Sequence, residues 1–161
     1  MKQKEPILVS ACLLGRACRY DGASRPHPAV EALAAHPDLT LIPICPECDG
    51  GLPTPRIPAE RVGERVVNRA GEDVTAAYRR GAELACRTAR ENGCRFSVLK
   101  ERSPSCGSHE IYDGSFTGKR KKGRGVCCEM LEKAGIAVFS EEETELLLAT
   151  IFEEDDRARL S

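Results

Sequence analysis

The chain has 161 residues, of which 41% are hydrophobic and 30% charged, and a formal net charge of -1. This is the mix of one soluble globular domain that buries its own core, and the balanced charge excludes a generally basic nucleic-acid binder while leaving room for local patches. No apolar run approaches the roughly 18 residues of a membrane span and nothing near Met1 resembles a signal peptide, so a cytoplasmic protein without a membrane partner is expected.

Ile7-Leu8-Val9-Ser10-Ala11-Cys12 reads as a fully buried strand, and a loop with the turn signal Asp21-Gly22 follows. Pro28 to His36 is a short helix, with Pro28 suited to the first turn and Val30, Leu33 and Ala34 facing inward. Leu39 to Ile44 is a second buried strand that ends at Cys45. Residues 46–60 carry Pro46, Pro53, Pro55 and Pro58 with the pair Gly50-Gly51, which predicts a fixed, non-helical loop. Arg61 to Gly71 is poorly patterned and reads as a short extended connection. Asp73 caps the clearest helix, whose inner face is Val74, Ala77, Tyr78, Gly81, Ala82, Ala85 and Ala89, and Asn92-Gly93 ends it.

The third strand, Phe96 to Leu99, runs into Lys100-Glu101-Arg102-Ser103-Pro104-Ser105-Cys106-Gly107-Ser108. No core needs that second half: Pro104 and Gly107 fix and release the backbone around Cys106, which aims a small side chain. Ile111 to Phe116 around Asp113-Gly114 reads as a hairpin or small excursion, and the basic run Lys119 to Arg124 as a solvated loop. A helix from about Gly125 to Lys133 ends at Gly135, Ile136 to Phe139 is a fourth strand, and Ser140 with Glu143 forms a capping box for the last helix. The acidic tail from Glu153 reads as frayed. There are no internal repeats and no linker, so residues 1–161 are read as one domain.

Short strands alternating with helices predict an α/β fold: a single-domain, Rossmann-like, three-layer arrangement around a small, mainly parallel sheet of about four strands. Ligands of such sheets collect beyond the carboxyl ends of the strands. Cys12, Cys45 and Cys106 all fall at that edge, and their convergence is a geometric expectation.

Nine cysteines, an odd count in a reducing compartment, do not suit a disulfide framework. Their spacing leaves several readings open. Cys12, Cys18, Cys45 and Cys48 could hold zinc, although five residues separate the first two. A redox dithiol at Cys45 and Cys48 would need the motif to open a helix, which the following Asp49-Gly50-Gly51-Leu52-Pro53 argues against. An iron–sulfur cluster on three dispersed thiolates is the third reading, and apolar packing is the fourth.

The segments Ser10-Ala11-Cys12-Leu13-Leu14-Gly15, Cys18-Arg19-Tyr20-Asp21-Gly22, Pro43-Ile44-Cys45-Pro46-Glu47, Gly50-Gly51-Leu52-Pro53-Thr54-Pro55-Arg56, Gly71-Glu72-Asp73-Val74-Thr75, Lys100 to Gly107 and Tyr112 to Gly118 together resemble the TudS-type thiouracil desulfidase family. The resemblance covers about residues 7–140. It implies an oxygen-sensitive 4Fe–4S cluster held by Cys12, Cys45 and Cys106, with its fourth iron open to sulfur, and an acid–base pair of Glu47 and Ser103. The implied reaction is non-redox desulfidation: a thiolated pyrimidine of the thiouracil or thiouridine type becomes its oxo form and hydrosulfide leaves. A free thiolated base or nucleotide is the implied substrate, and the iron–sulfur assembly machinery the implied partner.

The chemistry is consistent. A thiocarbonyl sulfur is soft, and so is an exposed cluster iron, which would polarise C=S toward water addition. Against this stand plainer roles: Glu47 as a surface carboxylate, Ser103 as a turn cap, and Cys18 as a packing residue beside the ligands. Cys48 departs from the family, where an aliphatic residue is expected, and a fourth thiolate there would close the open iron. Cys86, Cys94, Cys127 and Cys128 read as core, and His27, His36 and His109 lack ligand spacing. Rival readings are a zinc-stabilised, non-catalytic or RNA-binding module using the basic run, and a cluster enzyme acting on thiolated tRNA.

Overall fold

The computed structural model describes residues 4–24 and 26–160. Its elements are β1 (Glu5–Ser10), α1 (Pro28–Ala34), β2 (Leu39–Ile44), α2 (Pro46–Asp49), β3 (Ala59–Val62), β4 (Arg65–Asn68) and α3 (Thr75–Glu91). They continue with β5 (Phe96–Leu99), β6 (Glu110–Tyr112), β7 (Arg120–Lys122), α4 (Val126–Lys133), β8 (Ala137–Ser140) and α5 (Thr144–Leu160).

The central sheet has four strands in the order β2-β1-β5-β8, and every pairing is parallel. Ile7, Leu8 and Val9 are each fully buried, as expected of a strand covered on both faces. Ile7 and Val9 meet Val30 and Leu33 of α1 and Leu147 and Ile151 of α5. Leu8 meets Ala82, Ala85 and Ala89 of α3 and Cys127, Cys128 and Leu131 of α4. The result is the expected three-layer, Rossmann-like α/β arrangement. From β1 the chain passes outward to β2, then crosses back over β1 to β5. The connections after β1 and β5 therefore part in opposite directions and leave a crevice beyond their carboxyl ends, where ligands of this architecture bind.

Several local expectations need correcting. β1 ends at Ser10, and Cys12 lies in a 3-10 turn, Ala11–Leu14, closed by Gly15 at φ 97°. Pro46 to Asp49 is helical, with Pro46 in the first turn and Cys45 as N-cap, so a Gly-rich continuation does not prevent one turn of helix. Residues 59–68 form an antiparallel hairpin through Gly63 rather than a connection. Its pattern is weak because Val66 and Asn68 alone of its residues are buried. Part of the basic run is strand: Arg120–Lys122 pairs with Glu110–Tyr112 and is exposed along its length. Helix α5 runs on to Leu160 rather than fraying at Glu153, and the side chains of residues 154–160 lie outside the described ones. The capping box at Ser140 and Glu143 is present.

Two glycines set how α2 sits. A Cβ on Gly81 would lie 1.8 Å from the Pro46 carbonyl oxygen, and one on Gly50 would lie 2.1 Å from that of Ala77. The turn bearing Cys45 and Glu47 is thus pressed backbone to backbone against α3. Among the described residues no helix is long and apolar enough to cross a membrane. Gly81→Ala should retain the fold but lose about 2–3 kcal/mol in urea unfolding through overpacking at this contact. Unchanged stability would mean that α2 is free to move away from α3.

Candidate active site

Cys12 follows β1, Cys45 follows β2 and Cys106 follows β5, so three adjacent strands each deliver one thiol to the same edge of the sheet. All three, with Cys18, Glu47 and Ser103, line one cavity of about 460 Å³. The convergence expected from the sequence is therefore met by the backbone. Cys48 does not line that cavity. Its sulfur faces Thr54 Oγ1 at 3.1 Å, the Cys18 carbonyl oxygen at 3.7 Å and Arg56 Nη1, also at 3.7 Å.

The thiols perturb one another. The Cys12 thiol pushes Cys18 up to about 11, with burial adding to it and Cys45 opposing. Cys45 is raised far above the ordinary thiol value, first by Cys18 and then by burial. Burial pushes Cys106 up to about 12, although the nearby hydroxyls of Ser10 and Ser105 pull it down. Ser10 Oγ accepts the Lys100 N–H at 3.0 Å. Ser105 Oγ is buried and has no hydrogen-bond partner. Crowded thiols resist ionising together, and a cation that accepts them as thiolates relieves that cost.

Among the described residues, no three His, Cys, Asp or Glu side chains are placed to hold a single metal ion. Three soft donors around one cavity do suit a larger thiophilic group such as an iron–sulfur cluster.

Glu47 is held from two sides. Tyr78 Oη donates to Oε1 at 2.9 Å, and Arg56 Nη2 pairs with Oε2. Arg56 also donates to the Cys18 carbonyl at 3.0 Å, tying the Glu47 carboxylate to the loop after β1. Burial alone would lower the Arg56 guanidinium, but Glu47 beside it raises it overall. Tyr78 is pushed far above the ordinary phenol value by burial and then by the Glu47 charge, and so stays a donor. Neither partner is assigned by the sequence reading: Tyr78 falls among inward-facing helix positions, and Arg56 closes a quoted motif without a role. The positions were visible; the contacts, over 31 and 9 residues of chain, were not.

Ser103 Oγ accepts the N–H groups of Ser105 at 3.1 Å and Cys106 at 3.2 Å. The turn-capping role is thus present, and it leaves the hydroxyl proton free to be donated into the cavity. A further carboxylate shapes this loop. Glu101, 5% exposed, accepts the N–H groups of Arg102, Ser108, His109 and Glu110 at 2.9–3.2 Å on Oε1, and the Ser108 hydroxyl at 2.7 Å on Oε2. Burial would raise Glu101, but the His109 N–H, the Ser108 hydroxyl and the other backbone donors outweigh it, and the group lies below its ordinary value.

Residues expected outside the site are outside it. Cys86, Cys94, Cys127 and Cys128 pack in the core beneath α3 and α4. His36 stacks on Phe152 with ring centroids 5.2 Å apart, and His109 Nε2 lies 2.8 Å from Glu143 Oε1.

Comparison with known proteins adds to this geometry. The family model described as 2-thiouracil desulfurase matches residues 7–143. The chain is 43% identical over 148 residues to the uncharacterized protein YbbK of Bacillus subtilis (strain 168), covering 85% of this chain and 96% of that protein. It is similar to a solved structure of the 4Fe-4S-dependent thiouracil desulfidase TudS, with a TM-score of 0.85 and 51% identity over 92% of this chain and 99% of that one.

Replacing the Glu101 carboxylate by Ala should destabilise the protein by about 2–3 kcal/mol at neutral pH, because four N–H groups, one buried and three part-buried, lose their acceptor. The folded-state value of Glu101 is depressed, so its contribution is complete above the ordinary value of 4.5 and is lost as pH falls through the lower folded value. Urea titrations across that range should show the parent's acid-side loss of stability reduced in Glu101→Ala. Equal slopes for the two proteins would refute the linkage.

Proposed function

The chain belongs to the 2-thiouracil desulfurase family, and we propose that it is an iron–sulfur-dependent desulfidase that converts a thiolated pyrimidine to its oxo form and releases hydrosulfide. The observation that carries this reading is the delivery of Cys12, Cys45 and Cys106 by three adjacent strand ends to one cavity that also holds Glu47 and Ser103. The similar solved structure supports it, being that of a 4Fe-4S-dependent thiouracil desulfidase. The whole chain acts as one cytoplasmic domain and receives its cluster from the iron–sulfur assembly machinery.

Cys12, Cys45 and Cys106 would hold the cluster. When bound, it supplies a soft Lewis acid for the thiocarbonyl sulfur and consumes no electrons. The rest falls to the protein. Glu47 takes a proton from the water that adds to the ring carbon. Tyr78 and Arg56 fix both of its oxygens, so the carboxylate meets that water in one orientation. Ser103, whose oxygen is already engaged by two N–H groups, presents its proton toward the substrate. The Ser10 and Ser105 hydroxyls near Cys106 favour its thiolate. A cavity of about 460 Å³ matches a free base or nucleotide in size.

Anaerobically reconstituted protein should be brown, contain iron and sulfide, and release one hydrosulfide per 2-thiouracil converted to uracil. Colourless protein carrying zinc, or turnover confined to thiolated tRNA, would replace this reading with one of its rivals. Cys106→Ser should lose the visible absorbance, whereas Cys48→Ser, altering a sulfur turned onto Thr54 and Arg56, should keep it. The reverse result would overturn the ligand assignment. Glu47→Gln should retain colour and lose about 100-fold or more in kcat. Undiminished turnover would remove Glu47 from the mechanism.

A further inference from the structure

The segment Tyr112 to Gly118 has no part in the chemistry so far, yet it carries the more unusual backbone of the cavity wall. Phe116 and Arg102 are the non-glycine residues at positive φ among the described residues, at 57° and 70°. A bulky side chain in that region is strained, and such a conformation persists only where its surroundings impose it. For Phe116 the imposing group is Glu60. Its Oε1 accepts the N–H of Gly114 at 2.9 Å and that of Phe116 at 3.1 Å, more than fifty residues along the chain. Gly114 is pressed against the same hairpin: a Cβ there would lie 2.8 Å from Val62 Cγ2. One carboxylate of β3 therefore fixes the β6–β7 turn against the cavity, and Phe116 lines it.

Of the side chains lining that wall, Phe116 is the one aromatic ring without a polar atom. Arg19, Lys100 and Arg102 contribute charge, and the Tyr78 hydroxyl is committed to Glu47. Tyr20 and Tyr112 are 42% and 37% exposed, at the rim. A thiolated pyrimidine is flat and presents two π-faces, which charged groups at its edge do not orient. Half-buried and without a polar atom, Phe116 is suited to meet such a face.

We propose that Phe116, fixed in its strained conformation by Glu60, is the specificity-determining residue that stacks on the pyrimidine ring and selects aromatic thiocarbonyl substrates. The proposal rests on the desulfidase reading above. It is tested with the cluster-loaded enzyme, by steady-state kinetics on 2-thiouracil and by inhibition with the unreactive product uracil. Phe116→Ala and Phe116→Leu should each raise the KM for 2-thiouracil and the inhibition constant of uracil about tenfold, with a much smaller change in kcat. Phe116→Tyr, which keeps the ring, should recover most of that loss. An unmoved KM and inhibition constant in Phe116→Ala overturns the proposal, as does an equal loss in Phe116→Tyr. Failure of both Phe116→Ala and Phe116→Leu to give folded protein assigns the ring to packing and overturns it too. A parent enzyme that releases no sulfide from 2-thiouracil sinks the desulfidase reading instead, so the two failures are told apart.

Discussion

A carboxylate removed from water must be matched by donors, and Glu101 meets that demand from the main chain. Four N–H groups drawn from residues 102–110, and the hydroxyl of Ser108, converge on it. A loop that must bring so many donors to one point has little freedom left, and Ser103 and Cys106 ride on it. Glu141 extends the arrangement from the end of β8 by accepting the Glu101 N–H at 2.8 Å and pairing with Lys100 at 3.1 Å. The irregular half of the motif after β5 is thus held by ionic and backbone hydrogen bonds, where the strand before it is held by apolar burial.

The remaining parts of the site are referred to the same sheet by different means. Cys12 stands on a short 3-10 turn that leaves β1, and Cys45 is the residue at which β2 gives way to α2. The close approach of Gly50 and Gly81 presses α2 onto α3, and Tyr78, one turn before Gly81, then reaches Glu47. Arg56 joins that carboxylate to the loop after β1. Thiols, acid–base candidates and their supports therefore belong to one connected set rather than to neighbouring loops that happen to meet.

Much of this was legible in the sequence. Three apolar runs, each followed within seven residues by a cysteine, gave the parallel sheet and the edge at which the thiols gather, because strand burial and crossover topology leave few alternatives. The spacing of Ala77, Gly81, Ala85 and Ala89 gave α3, and Ser140 with Glu143 gave the cap before α5. What escaped had weak or ambiguous local signal. Pro46 belongs equally to a rigid loop and to a first helical turn, so α2 was hidden among prolines. The β3–β4 hairpin buries too few of its residues to alternate, and Arg120–Lys122 buries none. The roles of Arg56, Tyr78, Glu60 and Glu101 depend on contacts that composition and periodicity do not encode.

The ribbon made by β6 and β7 ends in a row of three cations, Arg120, Lys121 and Lys122, all open to water. An unpaired strand edge is ordinarily a template for a second chain, but one lined with like charges repels its own copy. Pairing of two copies along β7 is therefore opposed by charge rather than by a covering element.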